Sequence, residues 1–210
     1  MLLINLKNKK KFSSNFLAVS SNKGNIIIDA GFYDDEIKNA LKKLGKIDAI
    51  LLTHGHWDHI QTIDEIKKDF PEVKIYIHEK DYDFLKDENL NLSVKHIGPL
   101  KIESDAIKLN DGKLKVGEYE VELIHTPGHT GGSCLYYFKD ENLLFTGDTI
   151  GLNVIGNSYY PTGSEEDMYN SLKRFKHLNL PSQTMCYSGH WGFATYEEIL
   201  KENQYLINVE

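Results

Sequence analysis

Cysteine is scarce. The 210 residues hold two, Cys134 and Cys186, and neither belongs to a CxxC pair. That excludes a disulfide framework and a thiolate metal cluster, and each reads as a small buried hydrophobe in a strand. Arginine is scarcer still: Arg174 stands alone, inside a predicted helix. Positive charge is in deficit, with 24 Lys and Arg against 31 Asp and Glu, a net charge of -7 and a pI near 5.7. Nucleic-acid surfaces are normally basic stripes, so this balance argues against one. The run "KNKKKF" near the start reads as solvated turn charge. No segment reaches the roughly 20 apolar residues of a membrane-spanning helix. In "MLLINLKNKKKF" the apolar residues precede the lysines, the reverse of a secretory leader. Low-complexity tracts, long linkers and simple repeats are also missing. These absences predict one soluble, cytoplasmic globular domain over 1–210. Its partner is expected to be a small-molecule substrate, with neither nucleic acid nor membrane, and the oligomeric state stays open.

What is present is a series of short strands and helices. "FLAVSSNKGNIIIDAG" predicts two strands joined at Asn22 to Asn25. "DDEIKNALKKLG" predicts a helix, from its acidic first turn, its apolar Ile37, Ala40, Leu41 and Leu44, and its Gly stop. "DAILLT" has the continuous apolar character of a strand buried on both faces. A helix over "DHIQTIDEIKKDF", a strand "VKIYIH" and a short helix "EKDYDFLKD" follow. From Ala106 the pattern turns to strands: "AIKL", "KLKV", "YEVELIHT", "SCLYYF" and "LLFTGD". The last third predicts a helix over "SEEDMYNSLKRFKHL", a strand "TMCYSG" and a closing helix "TYEEILKENQYL". Two sheets packed face to face with helices outside is the economical arrangement of such elements.

"LLTHGHWDHI" places His54, His56, Asp58 and His59 within six positions, directly after a buried strand. His54 and His56, two apart in extended chain, can project to one side. Asp58 and His59 open the following helix. A polar surface turn is the bland account of the cluster. It fails because the same feature recurs: "IHTPGHTGG" ends a strand and presents His129, "LLFTGDT" presents Asp148, and "MCYSGHWG" presents His190. Five histidines and two aspartates thus sit at strand ends, where α/β architectures gather their sites. Zinc accepts imidazole and carboxylate ligands and, when catalytic, keeps one position for water. Seven ligands are too many for one ion and suit two, bridged by a carboxylate and about 3.5–4 Å apart.

His54-Gly55-His56-Trp57-Asp58-His59, then Thr126-Pro127-Gly128-His129, Thr146-Gly147-Asp148 and Gly189-His190, resemble the ordered signature of the metallo-β-lactamase superfamily. "IIIDAG" ahead of them resembles it too. The resemblance spans almost the whole chain. It implies an α/β, four-layer αββα sandwich of two mixed sheets flanked by helices, with metals at one rim. It also implies that His54, His56 and His129 hold a first metal, that Asp58, His59 and His190 hold a second, and that Asp148 bridges them. Two zinc ions per chain are expected, with iron and manganese as alternatives, since such donors suit all three.

The remaining candidates have two accounts each. Asp29 either orients a ligand histidine or caps its local turn. Trp57, Asn157, Tyr159, Tyr160 and Trp191 either line a substrate pocket or, for the aromatics, pack beneath the loops. His125 is expected to face away from the ligands, and His78, His96 and His177 to be ordinary surface or boundary residues.

The expected reaction is hydrolysis by a metal-bound hydroxide, with Asp58 orienting it and taking its proton. No GxSxG is present, and no serine or cysteine nucleophile is needed. The lactamase branch with this hexad is generally secreted and lacks the bridging aspartate, and the RNA-cleaving branches carry added segments. Small glyoxalase II-like enzymes are the better match, pointing to a thioester, ester or lactone. Glyoxalase II has a helical substrate domain after its last ligand, whereas 210 − 190 = 20 residues follow His190 here. Small relatives often carry an arginine in the loop after the bridging aspartate, where "GLNVIGNSYYPTG" offers Asn157. Carboxylates favour arginine's fork, so glutathione is not expected. Two rivals are a mononuclear iron persulfide dioxygenase, using His54, His129 and Asp148, and a non-catalytic metal-binding relative. The first tends to carry the missing arginine, and the second has no reason to keep every ligand. A flavodiiron-type reductase would have glutamate in place of His56.

Overall fold

Branched apolar residues on either side of a Ser21–Gly24 turn build the first hairpin, β2 (Phe16–Ser21) against β3 (Gly24–Ile28), with Leu17 opposite Ile28. The structure is a computed structural model and describes residues 2–6 and 14–209; the "KNKKKF" segment lies outside the described residues. It divides into two compact units, residues 1–109 with 115–119 and residues 110–114 with 120–210.

The first unit carries one six-stranded sheet in simple order: β1 (Leu2–Leu6), β2, β3, β4 (Ala49–Leu51), β5 (Lys74–His78) and β6 (Ile107–Leu109). From β3 to β6 the pairing is parallel, and β1 and β2 pair antiparallel, so the sheet is mixed. Parallel neighbours need crossovers, and helices supply them. α1 (Asp35–Leu44) starts at Asp34, whose side chain accepts from Ile37 N, and stops at Gly45, with φ of 82°. Its Ile37 and Leu41 pack with Ala18, Ile27, Ile50 and Ile75 of the sheet. Ala49, Ile50 and Leu51 are all fully buried, as the "DAILLT" run predicts.

One expectation fails here, because of backbone packed against the helix. "DHIQTIDEIKKDF" is not one helix but α2 (Trp57–Ile60) and α3 (Ile63–Asp69). Backbone from the end of β3 intercepts the helix at the break. Ala30 N donates to His59 O, Thr62 N and Oγ1 both donate to Ala30 O, and Gln61 Nε2 donates to Gly31 O. "EKDYDFLKD" forms the expected short helix, as a 3-10 helix over Glu79–Leu85. β1 was not anticipated, and β6 joins the first sheet, not the later strands.

The second unit carries the other mixed sheet, apart from residues 115–119 at the turn between its first two strands. Its strands are β7 (Gly112–Val116), β8 (Tyr119–His125), β9 (Cys134–Phe138), β10 (Leu143–Gly147), β11 (Met185–Ser188) and β12 (Phe193–Thr195), in the order β12-β11-β10-β9-β8-β7. β10 and β11 run parallel, joined through α4 (Glu165–Lys176). Met168, Leu172 and Phe175 of α4 pack with Ile124, Leu135, Leu144 and Cys186. Cys134 and Cys186 are buried in strands as expected, and burial pushes the Cys186 thiol up to about 12. The closing helix is again two, α5 (Tyr196–Glu202) and α6 (Gln204–Ile207), split where the Asn203 side chain caps α6 and donates to Gly151 O. The short β12 was not anticipated.

Among the described residues no helix is long and apolar enough to cross a membrane.

Gly128 locks the loop after β8 against α4. Its φ is +137°, and a Cβ there would meet Met168 N and Cα at 2.5 Å. Ser164 N, at the start of α4, donates to Gly128 O at 2.9 Å. Gly128→Ala is therefore expected to cost roughly 2–4 kcal/mol and to lower a thermal midpoint by about 5–10 °C. A melt unchanged from the parent protein would contradict this account of the loop.

Candidate metal centre

In the first unit β4 runs out at Leu51, and Thr53 to His56 form the loop leading into α2. His54, His56 and His59 are all buried. The ring centroids of His54 and His59 are 4.0 Å apart, and those of His54 and His56 are 4.9 Å apart. Ligating atoms of His54 lie within 4.8 Å of those of His56 and of His59, and the same holds between Asp58 and His59.

Asp29, buried just past β3, determines how two of these rings present their nitrogens. One carboxylate oxygen accepts from Thr53 N at 2.7 Å. The other accepts from Thr53 Oγ1 and pairs with His59 Nδ1, both at 2.8 Å. A carboxylate oxygen can only accept, so His59 carries its proton on Nδ1. Thr53 has spent its own proton on Asp29. Its oxygen therefore accepts from His54 Nδ1, 3.2 Å away. Both imidazoles are left with the Nε2 lone pair as their ligand face, the arrangement that outer partners impose on metal-binding histidines. Asp58 Oδ2 lies 3.8 Å from His59 Nε2. The Asp58 carbonyl is held by Ser14 Oγ at 2.8 Å, beside Gly31, where a Cβ would fall 2.0 Å from both oxygens.

The second unit brings its own group from the ends of β8, β10 and β11. Asp148 Oδ2 lies 3.8 Å from His129 Nε2 and 3.4 Å from His190 Nε2. His129 Nδ1 donates to the Asn157 carbonyl at 2.7 Å, so this ring too presents Nε2. Gly156 makes the approach possible, because a Cβ there would lie 2.1 Å from Asp148 O and 2.9 Å from His129 Nδ1. The Asp148 and His190 loops are tied by Gly189 N donating to Gly147 O at 2.8 Å.

The other candidates are distributed as follows. Trp57 is buried, its ring stacked 5.4 Å from that of His96. The Tyr160 ring stands edge-on, 6.3 Å from His129. Asn157 meets His129 through its backbone, while its side chain accepts from Tyr159 N. Asn157 and the 79% exposed Tyr159 line a cavity of about 500 Å³ with Ile155, Glu165, Met168 and Leu172. Trp191 is partly exposed and packs on Gly151. His125 contacts the Gly131 carbonyl through Nε2, and His177 is exposed. His78 departs from expectation: it is buried at the end of β5, where its Nδ1 accepts from Lys80 N and caps the 3-10 helix. Sequence reasoning passed over Thr53, Ser14 and Asp81. Only the proximity of Thr53 to the hexad could have flagged it.

Comparison with known proteins agrees with this geometry. The family model described as the metallo-beta-lactamase superfamily matches residues 10–190. A Bacillus subtilis protein named "Probable metallo-hydrolase YqgX" is 34% identical over 168 residues, 79% of each chain. A hydroxyacylglutathione hydrolase of Bartonella henselae is 33% identical over 155 residues, covering 73% of this chain and 53% of its own. The chain thus spans about half of that relative. The solved structure of the BLEG-1 B3 metallo-beta-lactamase superposes with a TM-score of 0.88 at 29% identity, over 98% of this chain and 99% of that one. The fold of two mixed sheets flanked by helices is that of the solved structure, and with the family model covering residues 10–190 the chain belongs to the metallo-beta-lactamase superfamily.

Proposed function

We propose that the protein is a dinuclear zinc hydrolase of small thioesters, esters or lactones. In this reading His54, His56 and His129 hold one ion, Asp58, His59 and His190 the other, and Asp148 bridges them. The observation that carries it is the placing of three rings: His54, His59 and His129 each set Nδ1 against a protein oxygen, which leaves Nε2 for a ligand. Carboxylates stand beside these nitrogens and no thiolate does, a donor set that fits zinc. When bound, zinc supplies Lewis acidity and lowers the pKa of water to about 7.

The chain's own residues do the rest. The Asp58 carboxylate, its backbone fixed by Ser14, orients the attacking water and accepts its proton. Asn157 and Tyr159 border a cavity that Ile155, Met168, Leu172 and Glu165 also line and that none of the seven ligand candidates lines; in this reading it takes the part of the substrate remote from the reacting bond. Arg174 donates to the His125 carbonyl and to Asp111, so the chain's one guanidinium is committed away from a substrate carboxylate. That favours a small neutral acyl compound over a glutathione thioester.

Elemental analysis of protein purified without added metal should give about two zinc ions per chain. About one iron would favour an oxygen-dependent persulfide reaction instead. A panel of thioesters, esters, lactones and a β-lactam then reads out the substrate class. The β-lactam is included because the solved structure named above bears a lactamase title. Turnover of a glutathione thioester at high efficiency would refute the substrate assignment. Asp148→Ala should lose metal and turnover together, and full activity with normal metal would sink the bridging role. Asp29→Ala removes the acceptor of His59 Nδ1 and is expected to weaken zinc binding by about 10–100-fold, measured by chelator competition. Tyr159→Ala should change KM across the panel with metal content retained.

A further inference from the structure

The strongest observation outside the ligands concerns a carboxylate that none of the readings above uses. Asp81 is fully buried in the 3-10 helix Glu79–Leu85. Its Oδ2 accepts from Gly55 N at 2.8 Å, and Gly55 is the residue between His54 and His56. A 3-10 helix repeats every three residues, so Asp81 and Phe84 share one face. That face rests on the same glycine, where a Cβ would fall 2.3 Å from Phe84 Cβ. The Phe84 ring also lies 5.9 Å from that of His56. Further on, Asn91 Nδ2 donates to Phe84 O at 2.9 Å, and the Asn91 carbonyl accepts from Trp57 N at 2.8 Å. The amides on both sides of His56, Gly55 N and Trp57 N, are therefore gripped by one bracket of chain from 81 to 91.

We propose that Asp81 is a positioning residue of the metal centre: by holding Gly55 N–H it sets the turn that presents His54 and His56 together. The role rests on the metal-ligand reading of those two histidines. The physical basis is an acceptor oxygen held at a fixed place for a buried N–H, a group that is costly to leave unpaired. Without it, a buried N–H loses its acceptor, and the turn is free to relax away from the ligand spacing. Asp81 need not touch the metal to control its affinity.

The test compares Asp81→Ala, Asp81→Asn and Asp81→Glu in the full chain. Zinc affinity is measured by competition with a chromophoric chelator, the cobalt(II) absorption spectrum reports ligand geometry, and a melt of metal-free protein reports folding. Asn keeps an acceptor oxygen in place, whereas Glu keeps the charge but displaces it by a methylene. The expected pattern is about 10–100-fold weaker zinc binding and an altered cobalt spectrum for Ala and Glu, with Asn within about threefold of the parent. Should Asp81→Ala fail to fold, the Glu and Asn variants decide alone. Parent-like affinity and spectrum in the Ala or Glu variant would overturn the proposal, as would an Asn variant as weak as Glu. A parent protein that takes up neither zinc nor cobalt would refute the metal centre itself, and that result appears in the parent arm alone.

Discussion

One buried carboxylate organises the first ligand group. Asp29 sits at φ of 61°, a left-handed conformation that asparagine and aspartate tolerate better than other residues with a side chain. Its own N–H donates to Leu51 O, and its side chain receives Thr53 N, Thr53 Oγ1 and His59 Nδ1. The ends of β3 and β4 and the start of α2 are thereby joined through a single side chain. Because Thr53 gives its proton to Asp29, the polarity of the chain His54–Thr53–Asp29–His59 is determined. Two imidazoles inherit their tautomers from it, and rotating either ring would cost a hydrogen bond inside the fold.

The second group is set by close backbone approach, not by a carboxylate relay. Gly156 lets the loop after Asp148 press against the His129 ring, and the Asn157 carbonyl then receives Nδ1–H. Gly128 lets the start of α4 lie on the loop that carries His129. Both devices depend on residues without a side chain at one point of contact. A strand end is a favourable place for such loops, because the strand fixes one end while the loop adjusts.

Much of this was legible in the sequence. The hairpin of β2 and β3, the helix α1 with its Asp34 and Gly45 boundaries, and the buried run of β4 follow from local pattern and capping chemistry. The hexad and the strand-end positions of His129, Asp148 and His190 were also visible, because side chains able to hold a metal are of few residue types. Less legible were the breaks in helices. Gln61 and Thr62 continue a helical pattern, and what stops them is the Ala30–Gly31 backbone arriving from far along the chain. His78 looked like a boundary residue since nothing in "KIYIH" reveals that its ring caps the turn that follows. Asp81 hid in a charged stretch, "EKDYDFLKD", whose composition suggests solvent.

Sequence alone determined the chemistry: which side chains can ligate, in what order they come, and that no thiolate, basic stripe or serine elbow competes with them. These depend on residue identity and short spacing, both readable in one dimension. Tertiary structure alone decided which nitrogen His54, His59 and His129 present, which glycine must stay bare and which buried carboxylate holds the Gly55 amide. Each of these depends on an acceptor or a backbone atom tens of residues away. Hydrogen-bond partners at that separation are set by packing, and packing leaves no local trace in the order of the residues.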